Sequence, residues 1–93
     1  MIHFIVHHAN DSVGVVVVEG VRAGMELNGW LMDEDRLLKL TASEDIPIGH
    51  KLAMHAIRSG ETVIKYGLDM GRAVADIASG AHAHVHNIKT KRW

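Results

Sequence analysis

Asp45-Ile46-Pro47-Ile48-Gly49-His50 contains a short turn motif that recurs along this sequence. The motif is a branched aliphatic residue, two spacers and a glycine, and it returns at residues 21–24, 57–60 and 77–80. We expect the aliphatic residue to anchor in the core and the glycine to take the positive φ that a tight turn requires. Four such turns predict a chain that folds back repeatedly on itself. Recurrence of generic turn chemistry is the alternative interpretation.

Short strand patterns lie between these turns. Residues 13–18 are a β-branched run, and residues 2–7 also favour a strand. The turn cluster Asn10-Asp11-Ser12 separates them, which predicts a hairpin. Further strands are predicted at residues 37–41, 62–66 and 82–88, short helices at 51–57 and 70–77, and a polar loop tip at 33–35. The pattern predicts a mainly β fold with at most short helices, in one domain spanning residues 1–93.

Composition excludes several functional classes. The chain has 93 residues, of which 47% are apolar and 4% aromatic, and it contains no cysteine. Disulfides, thiolate nucleophiles and thiolate metal sites are therefore excluded. The formal net charge of −1 argues against a nucleic-acid partner. No segment has the length of a membrane span or the pattern of a signal peptide, so we expect no membrane contact and a cytoplasmic location.

The stretch Gly80-Ala81-His82-Ala83-His84-Val85-His86-Asn87 places three histidines on alternate positions. Alternate residues of a strand share one face, so His82, His84 and His86 would stand in a row. Buried imidazoles need hydrogen-bond partners, and a row of three therefore indicates a polar site. The candidates are a divalent metal, an anionic substrate or both, and a solvated edge strand with no function is the alternative.

Four motifs taken together are similar to those of a known enzyme family. They are Ile46-Pro47-Ile48-Gly49-His50-Lys51-Leu52-Ala53, Val63-Ile64-Lys65-Tyr66-Gly67, Gly71-Arg72-Ala73 and the histidine stretch. In this order they resemble the small SAF-type domain of the altronate/galactarate dehydratase family. The resemblance implies a compact β-clip fold and a cytoplasmic, heteromeric enzyme whose larger beta subunit carries the rest of the active site. Association of the chain with itself is left open.

Within this family, residues 3–11 and 87–93 are most similar to those of the small subunit of a carbon–sulfur lyase. The similarity implies cleavage of (2R)-3-sulfolactate to pyruvate and sulfite, by proton abstraction alpha to the carboxylate and sulfite elimination. Two alternatives stay open: a sugar-acid dehydratase of the altronate or galactarate type, and a non-catalytic module that binds a sugar acid or a partner. Because the chain lacks a complete set of catalytic groups, we expect it to be inactive without its large subunit.

The resemblance also indicates roles for particular residues. We expect His82, His84 and His86 to act as catalytic acid or base, or alternatively to hold a metal, for which iron is the family-based expectation. The family commonly has glutamate and valine where this chain has Ala81 and Ala83, so a carboxylate would have to come from elsewhere. The residues predicted to bind the small anionic substrate are His50, Lys51, Lys65, Arg72 and Asn87. Ordinary solvated or interface cations are the alternative for the lysines and the arginine.

Overall fold

The computed structural model describes residues 1–84 and 86–89, and within them the chain is built from short strands. One 3₁₀ helix, Met32–Glu34, interrupts them at the predicted polar loop tip. In chain order the strands are β1 (Phe4–Val6), β2 (Val13–Val16), β3 (Glu26–Leu31), β4 (Arg36–Thr41), β5 (Lys51–Ala53), β6 (Thr62–Lys65), β7 (Leu68–Ala73), β8 (His82–Ala83) and β9 (Ile88–Lys89). The mainly β fold is thus confirmed. No helix in the described part of the chain is both long and apolar enough to cross a membrane.

The strands form two sheets. The larger sheet has the order β4-β3-β1-β2-β5-β8, and the smaller has the order β6-β7-β9. The predicted hairpin is confirmed, since β1 and β2 pair antiparallel with Phe4 opposite Val16. Strand β1 also pairs with β3 in the parallel direction, and this is the only parallel pair among the described strands.

The repeated turn organises the fold as expected. The aliphatic residue of every copy is at most 3% exposed, and every motif glycine has φ between +78° and +90°. The copies associate in pairs, because Val21 forms an isolated bridge with Ile46 and Ile57 forms one with Ile77. The motif therefore brings segments that are distant in sequence to the same place.

Two hydrophobic clusters lie on opposite faces of the central strands. Leu52 and Val16 belong to the first cluster, with Phe4. Val13 and Ala53 belong to the second. Strands β2 and β5 are therefore covered by apolar side chains on both faces. This burial fixes the position of the start of β5, and therefore of His50, which directly precedes the strand.

Several predicted elements are different in the structure. The proposed helices at 51–57 and 70–77 are wrong, because β5 pairs with β2 and β8, and β7 pairs with β6 and β9. Hydrogen bonds between strands outweigh a short helical pattern. Strand β3 was not predicted, and it contains Gly29 in a position of close approach. A Cβ on Gly29 would lie 2.2 Å from the Phe4 ring, so only glycine leaves room for that ring.

The expected strand over residues 82–88 is also wrong. Strand β8 ends at Ala83, a turn follows, and Ile88–Lys89 pairs with β7 in the other sheet. The chain thus changes sheets within the histidine stretch.

Candidate functional site

Three imidazoles meet where the β5–β8 pair ends. Lys51 lies opposite Ala83 and Leu52 opposite His82. Extending this antiparallel register by one pair places His50 opposite His84, on the same face as His82. The rings of His50 and His84 are stacked, with centroids 4.1 Å apart and an interplanar angle of 26°. Sequence reasoning treated His50 as a separate substrate ligand and missed this pairing, because only the strand register shows it.

The closest contact in this cluster joins His50 and His82. Nδ1 of His50 lies 2.8 Å from Nε2 of His82, a hydrogen-bond distance at which one nitrogen donates and the other accepts. One ring nitrogen from each of His50, His82 and His84 lies within 4.8 Å of those of the other two. We call these three residues the imidazole cluster.

His86 belongs to the neighbouring turn and not to a strand. Its ring centroid is 5.0 Å from that of His82, and its side chain is exposed. The described residues whose ring nitrogens converge as a possible metal site are His50, His82 and His84, and the expected metal set of His82, His84 and His86 stays a prediction. The alternation rule holds for His82 and His84 and fails at the turn.

Asn87 fixes the backbone that carries the histidines. Its Oδ1 accepts a hydrogen bond from the His84 N–H at 2.9 Å, and its Nδ2 donates to the His82 carbonyl at 2.9 Å. The backbone N–H of Asn87 closes the turn by donating to the His84 carbonyl. In this structure Asn87 positions the imidazoles, and its predicted contact with substrate stays a prediction.

The surroundings of His82 and His84 favour the uncharged form of these two imidazoles. Burial lowers the pKa of His82, and the neighbouring His86, His50 and His84 lower it further, against a smaller opposing effect of Glu44. The pKa of His84 is also lowered, by burial first and then by His50, Lys51 and His86. The Nδ1 atom of His84 is buried and has no hydrogen-bond partner among the described residues. Neutral rings with available lone pairs are the form in which histidine binds a metal or accepts a proton.

A groove of about 370 Å³ opens beside His82. Its lining residues are Gly20, Val21, Arg22, Asp45, Ile46, Pro47 and His82. The Val21–Ile46 bridge brings two turn motifs together here, and the Arg22 Nη1 atom lies 3.5 Å from the Asp45 carboxylate. Arg22 was not identified as a site residue from the sequence, since its motif indicates only a turn.

The other predicted site residues lie in different places. Lys51 begins β5 next to His50, close enough to act on the pKa of His84. Lys65 ends β6 and contacts His7. Arg72 is exposed on β7, opposite Thr62 and Lys89. Lys65 and Arg72 thus belong to the smaller sheet, whereas the imidazole cluster lies at the edge of the larger one.

Residues 2–91 match the family model of the altronate/galactarate dehydratase SAF domain. The chain belongs to this family.

Similar proteins are of two kinds. The chain is 60% identical, over 99% of its length and 98% of the relative, to a (2R)-sulfolactate sulfo-lyase subunit alpha of Chromohalobacter salexigens. It is 58% identical to a protein of the same name from Paracoccus pantotrophus, over 59% of this chain and 82% of the relative. An altronate dehydratase of Escherichia coli is 41% identical to this chain, and the aligned region covers 89% of this chain and 15% of that enzyme. In the last case the SAF domain is a small part of a much longer chain.

The SAF domain of this chain offers ligands suited to a first-row transition metal. Imidazole binds zinc, iron, copper and nickel, and three protein ligands leave positions for water or substrate. The short distances between ring nitrogens, the lowered pKa values and the unpartnered His84 Nδ1 fit such a metal. His50, His82 and His84 are the residues that could hold it.

Proposed function

We propose that this chain is the alpha subunit of a (2R)-sulfolactate sulfo-lyase, a cytoplasmic carbon–sulfur lyase that cleaves its substrate to pyruvate and sulfite. The supporting observation is the identity of 60% along almost the full length of both chains. The imidazole cluster adds a site with suitable chemistry. The word alpha in the relatives' names implies a second subunit, and we propose that this is a larger chain that supplies the remaining catalytic groups.

The proposed reaction is a β-elimination. A base removes the proton from C2, next to the carboxylate, and the electron pair of that bond forms the C2–C3 double bond. The C3–S bond breaks at the same time or afterwards, and sulfite leaves with its electron pair. The resulting enol takes up a proton at C3, loses the proton of its hydroxyl group and becomes pyruvate. The difficult step is the first, because a second negative charge develops beside the carboxylate.

The imidazole cluster addresses that step. We propose that His50, His82 and His84 hold a divalent metal, and iron is the identity implied by the family resemblance. A bound metal of this kind acts as a Lewis acid and stabilises charge that develops on the carboxylate and hydroxyl oxygens. The neutral state of His82 and His84 supports this role, because a ring that is already unprotonated loses no proton on binding.

His86 keeps the acid–base role predicted for it. The residue lies outside the imidazole cluster, and its exposed ring stands next to His82. A neutral imidazole can take up a proton at one ring nitrogen and release it again. We propose that His86 accepts the C2 proton or returns a proton to C3.

The substrate is a dianion and needs nearby cations. Lys51 is close enough to His84 to lower its pKa, and Arg22 lines the groove that His82 faces. We propose that these two residues bind the carboxylate and sulfonate groups. A guanidinium can bind either group through two parallel hydrogen bonds, whereas an ammonium acts as a point charge.

The test is reconstitution with the large subunit. Each chain is purified separately and incubated with (2R)-3-sulfolactate alone and as a mixture, and sulfite and pyruvate are both measured. We expect equal amounts of the two products from the mixture and none from this chain alone. Release of sulfite by this chain alone, or no release by an assembled mixture, would contradict the proposal.

A sugar-acid dehydratase is the second candidate, supported by the identity of 41% to an altronate dehydratase. Its chemistry begins with the same proton abstraction, but hydroxide leaves as water instead of sulfite. Incubating the mixture with altronate in parallel distinguishes the two, because dehydration gives a keto acid without sulfite. A non-catalytic binding module would give no product from either substrate.

A further inference from the structure

A second polar cluster lies on the smaller sheet, around the end of β6. The Nζ atom of Lys65 is 3.5 Å from Nδ1 of His7 and 3.9 Å from the centroid of the Tyr66 ring. The rings of His7 and Tyr66 are 3.8 Å apart and tilted by 32°. Three side chains with different chemistry thus meet, although His7 and Lys65 are 58 residues apart in the sequence.

Asp11 holds this cluster in place. Its side chain is among the few buried charged groups, with an exposure of 3%. Its carboxylate accepts hydrogen bonds from the backbone N–H groups of Tyr66 at 3.0 Å, Gly67 at 2.9 Å and His8 at 3.3 Å. The carboxylate therefore binds the β6–β7 turn to the loop after β1.

The backbone at Tyr66 is also unusual. Its φ of +55° lies in the left-handed region, where residues other than glycine are uncommon. Such a conformation persists where surrounding contacts impose it, and it is frequent at functional sites. Here the hydrogen bonds to Asp11 impose it, and the result is that the Tyr66 ring lies against His7 and under the Lys65 ammonium group.

Burial, and to a smaller extent the neighbouring charges, lower the pKa of both basic groups in this cluster. Burial lowers the pKa of Lys65, with Lys51 acting in the same direction and Asp11 against it. Burial and then Lys65 lower the pKa of His7, with Asp11 opposing and His8 adding to the decrease. Nδ1 of His8 lies 3.4 Å from the Asp33 carboxylate. Asp33 therefore already has a partner outside the cluster. An arriving anion would relieve the repulsion between Lys65 and His7.

We propose that His7, Lys65 and Tyr66 form a second site, distinct from the imidazole cluster, that binds a small sulfonate or carboxylate anion. Lys65 and protonated His7 supply charge-assisted donors, and the Tyr66 ring holds the ammonium group by a cation–π contact. Asp11 is an acidic group that acts on both bases, and its carboxylate is occupied by backbone donors. The inference rests on the proposed function only for the choice of a sulfonate as the first ligand.

The site can be tested by nuclear magnetic resonance on the full chain. The His7 and Tyr66 ring signals are followed while methanesulfonate or acetate is added at constant ionic strength, with chloride as the reference anion. We expect saturable shifts at both rings and a higher pKa of His7 in the presence of the bound anion. Comparison of methanesulfonate with acetate shows which anion the site prefers.

Substitution of the lysine provides the second measurement. Lys65→Gln should weaken anion binding by at least about tenfold, the loss expected for one charge-assisted hydrogen bond. Lys65→Arg, which keeps the charge, should stay within about threefold of wild type, a difference of less than 1 kcal/mol. The matched control is Lys39→Gln, because Lys39 is exposed on β4, the edge strand of the larger sheet, and pairs with Glu26 of the neighbouring β3.

Shifts that do not saturate, or that chloride reproduces, would overturn the proposal. An equal effect of Lys65→Gln and Lys39→Gln would also overturn it, as would loss of subunit association without any loss of anion binding. Sulfite release is measured separately on the assembled enzyme. A chain that binds methanesulfonate but releases no sulfite in the assembled enzyme would contradict the proposed reaction and not the second site.

Discussion

Nδ1 of His50 lies 2.8 Å from Nε2 of His82, although 32 residues separate the two histidines. Each follows a copy of the repeated turn: His50 comes directly after Gly49, and His82 comes two residues after Gly80. The turn that buries an aliphatic residue thus also delivers an imidazole to the edge of the larger sheet. The same turn motif thus contributes both to the hydrophobic core and to the candidate site.

Alanine at His50, His82, His84 or His86 should reduce turnover of the assembled enzyme by at least about 100-fold, in line with typical acid–base contributions. The change removes a proposed metal ligand or the proposed base. Sulfite release and subunit association are measured on the same preparations. His55→Ala is the control, because that ring is exposed and its Nδ1 atom lies within hydrogen-bond distance of the carbonyl of the next residue. Rates within about threefold of wild type for all four variants would show that the chemistry belongs to the partner subunit.

The metal content of two alanine variants should distinguish the proposed role of His50, a metal ligand, from that of His86, an acid or base. His50→Ala removes one of the three converging nitrogens and is expected to lower the amount of metal in the purified complex strongly. His86→Ala should keep the metal and lose turnover, because His86 lies outside the imidazole cluster. Elemental analysis of both variants beside wild type makes the comparison. Retention of metal by His50→Ala with loss in His86→Ala would restore the ligand set expected from the sequence.

Acid should destabilise the chain partly through His82 and His84. Their pKa values are lower in the folded state, so between those values and the unfolded value of about 6.5 the unfolded chain binds more protons. The free energy of unfolding therefore falls as the pH falls through this range. Urea unfolding measures this decrease at about pH 7.5 and about pH 5.5, two values on either side of the ordinary histidine pKa. The double variant His82→Gln/His84→Gln should lose less stability than wild type, and an equal loss would contradict the assignment.

Two motif glycines should respond differently to alanine. Gly49 has φ of +83° and open space around a Cβ, so Gly49→Ala should cost about 1–2 kcal/mol of strain. Gly80 has φ of +78°, and a Cβ there would lie 2.1 Å from the Thr41 carbonyl oxygen. Gly80→Ala should therefore cost several kcal/mol, because backbone atoms must move. Urea denaturation compares the two, and equal losses would refute the close approach at Gly80.

The strand pattern of the sequence was informative where neighbouring strands are short and joined locally. The β-branched run beginning at Val13 forms the predicted hairpin with β1, and the four turn motifs behave as expected. Strand β3 was missed because Asn28 and Gly29 have low β-propensity, and its place depends on the Phe4 ring that covers Gly29. The contact between them is long-range and leaves no periodic signal.

The imidazole cluster also combines a feature that local sequence predicts with one that only long-range contacts decide. Alternation correctly placed His82 and His84 on one face, since side chains on a strand alternate by geometry. It failed at His86, because Asn87 closes a turn at this point with hydrogen bonds to the His82 and His84 backbone. Nothing in the spacing of one segment reports which other segment will pair with it, and so the role of His50 became visible only in the structure.

The sequence by itself determined the fold class, the positions of the turns and the shared face of His82 and His84, because strand alternation and glycine turns depend on local geometry. The tertiary structure alone decided which residues share a site. Strand register brought His50 next to His84, and the buried carboxylate of Asp11 joined the loop after His7 to the backbone of Tyr66 and Gly67. These contacts link residues that are 34 or more positions apart in the printed sequence. Their free energy comes from burial and pairing between segments, which no local pattern encodes.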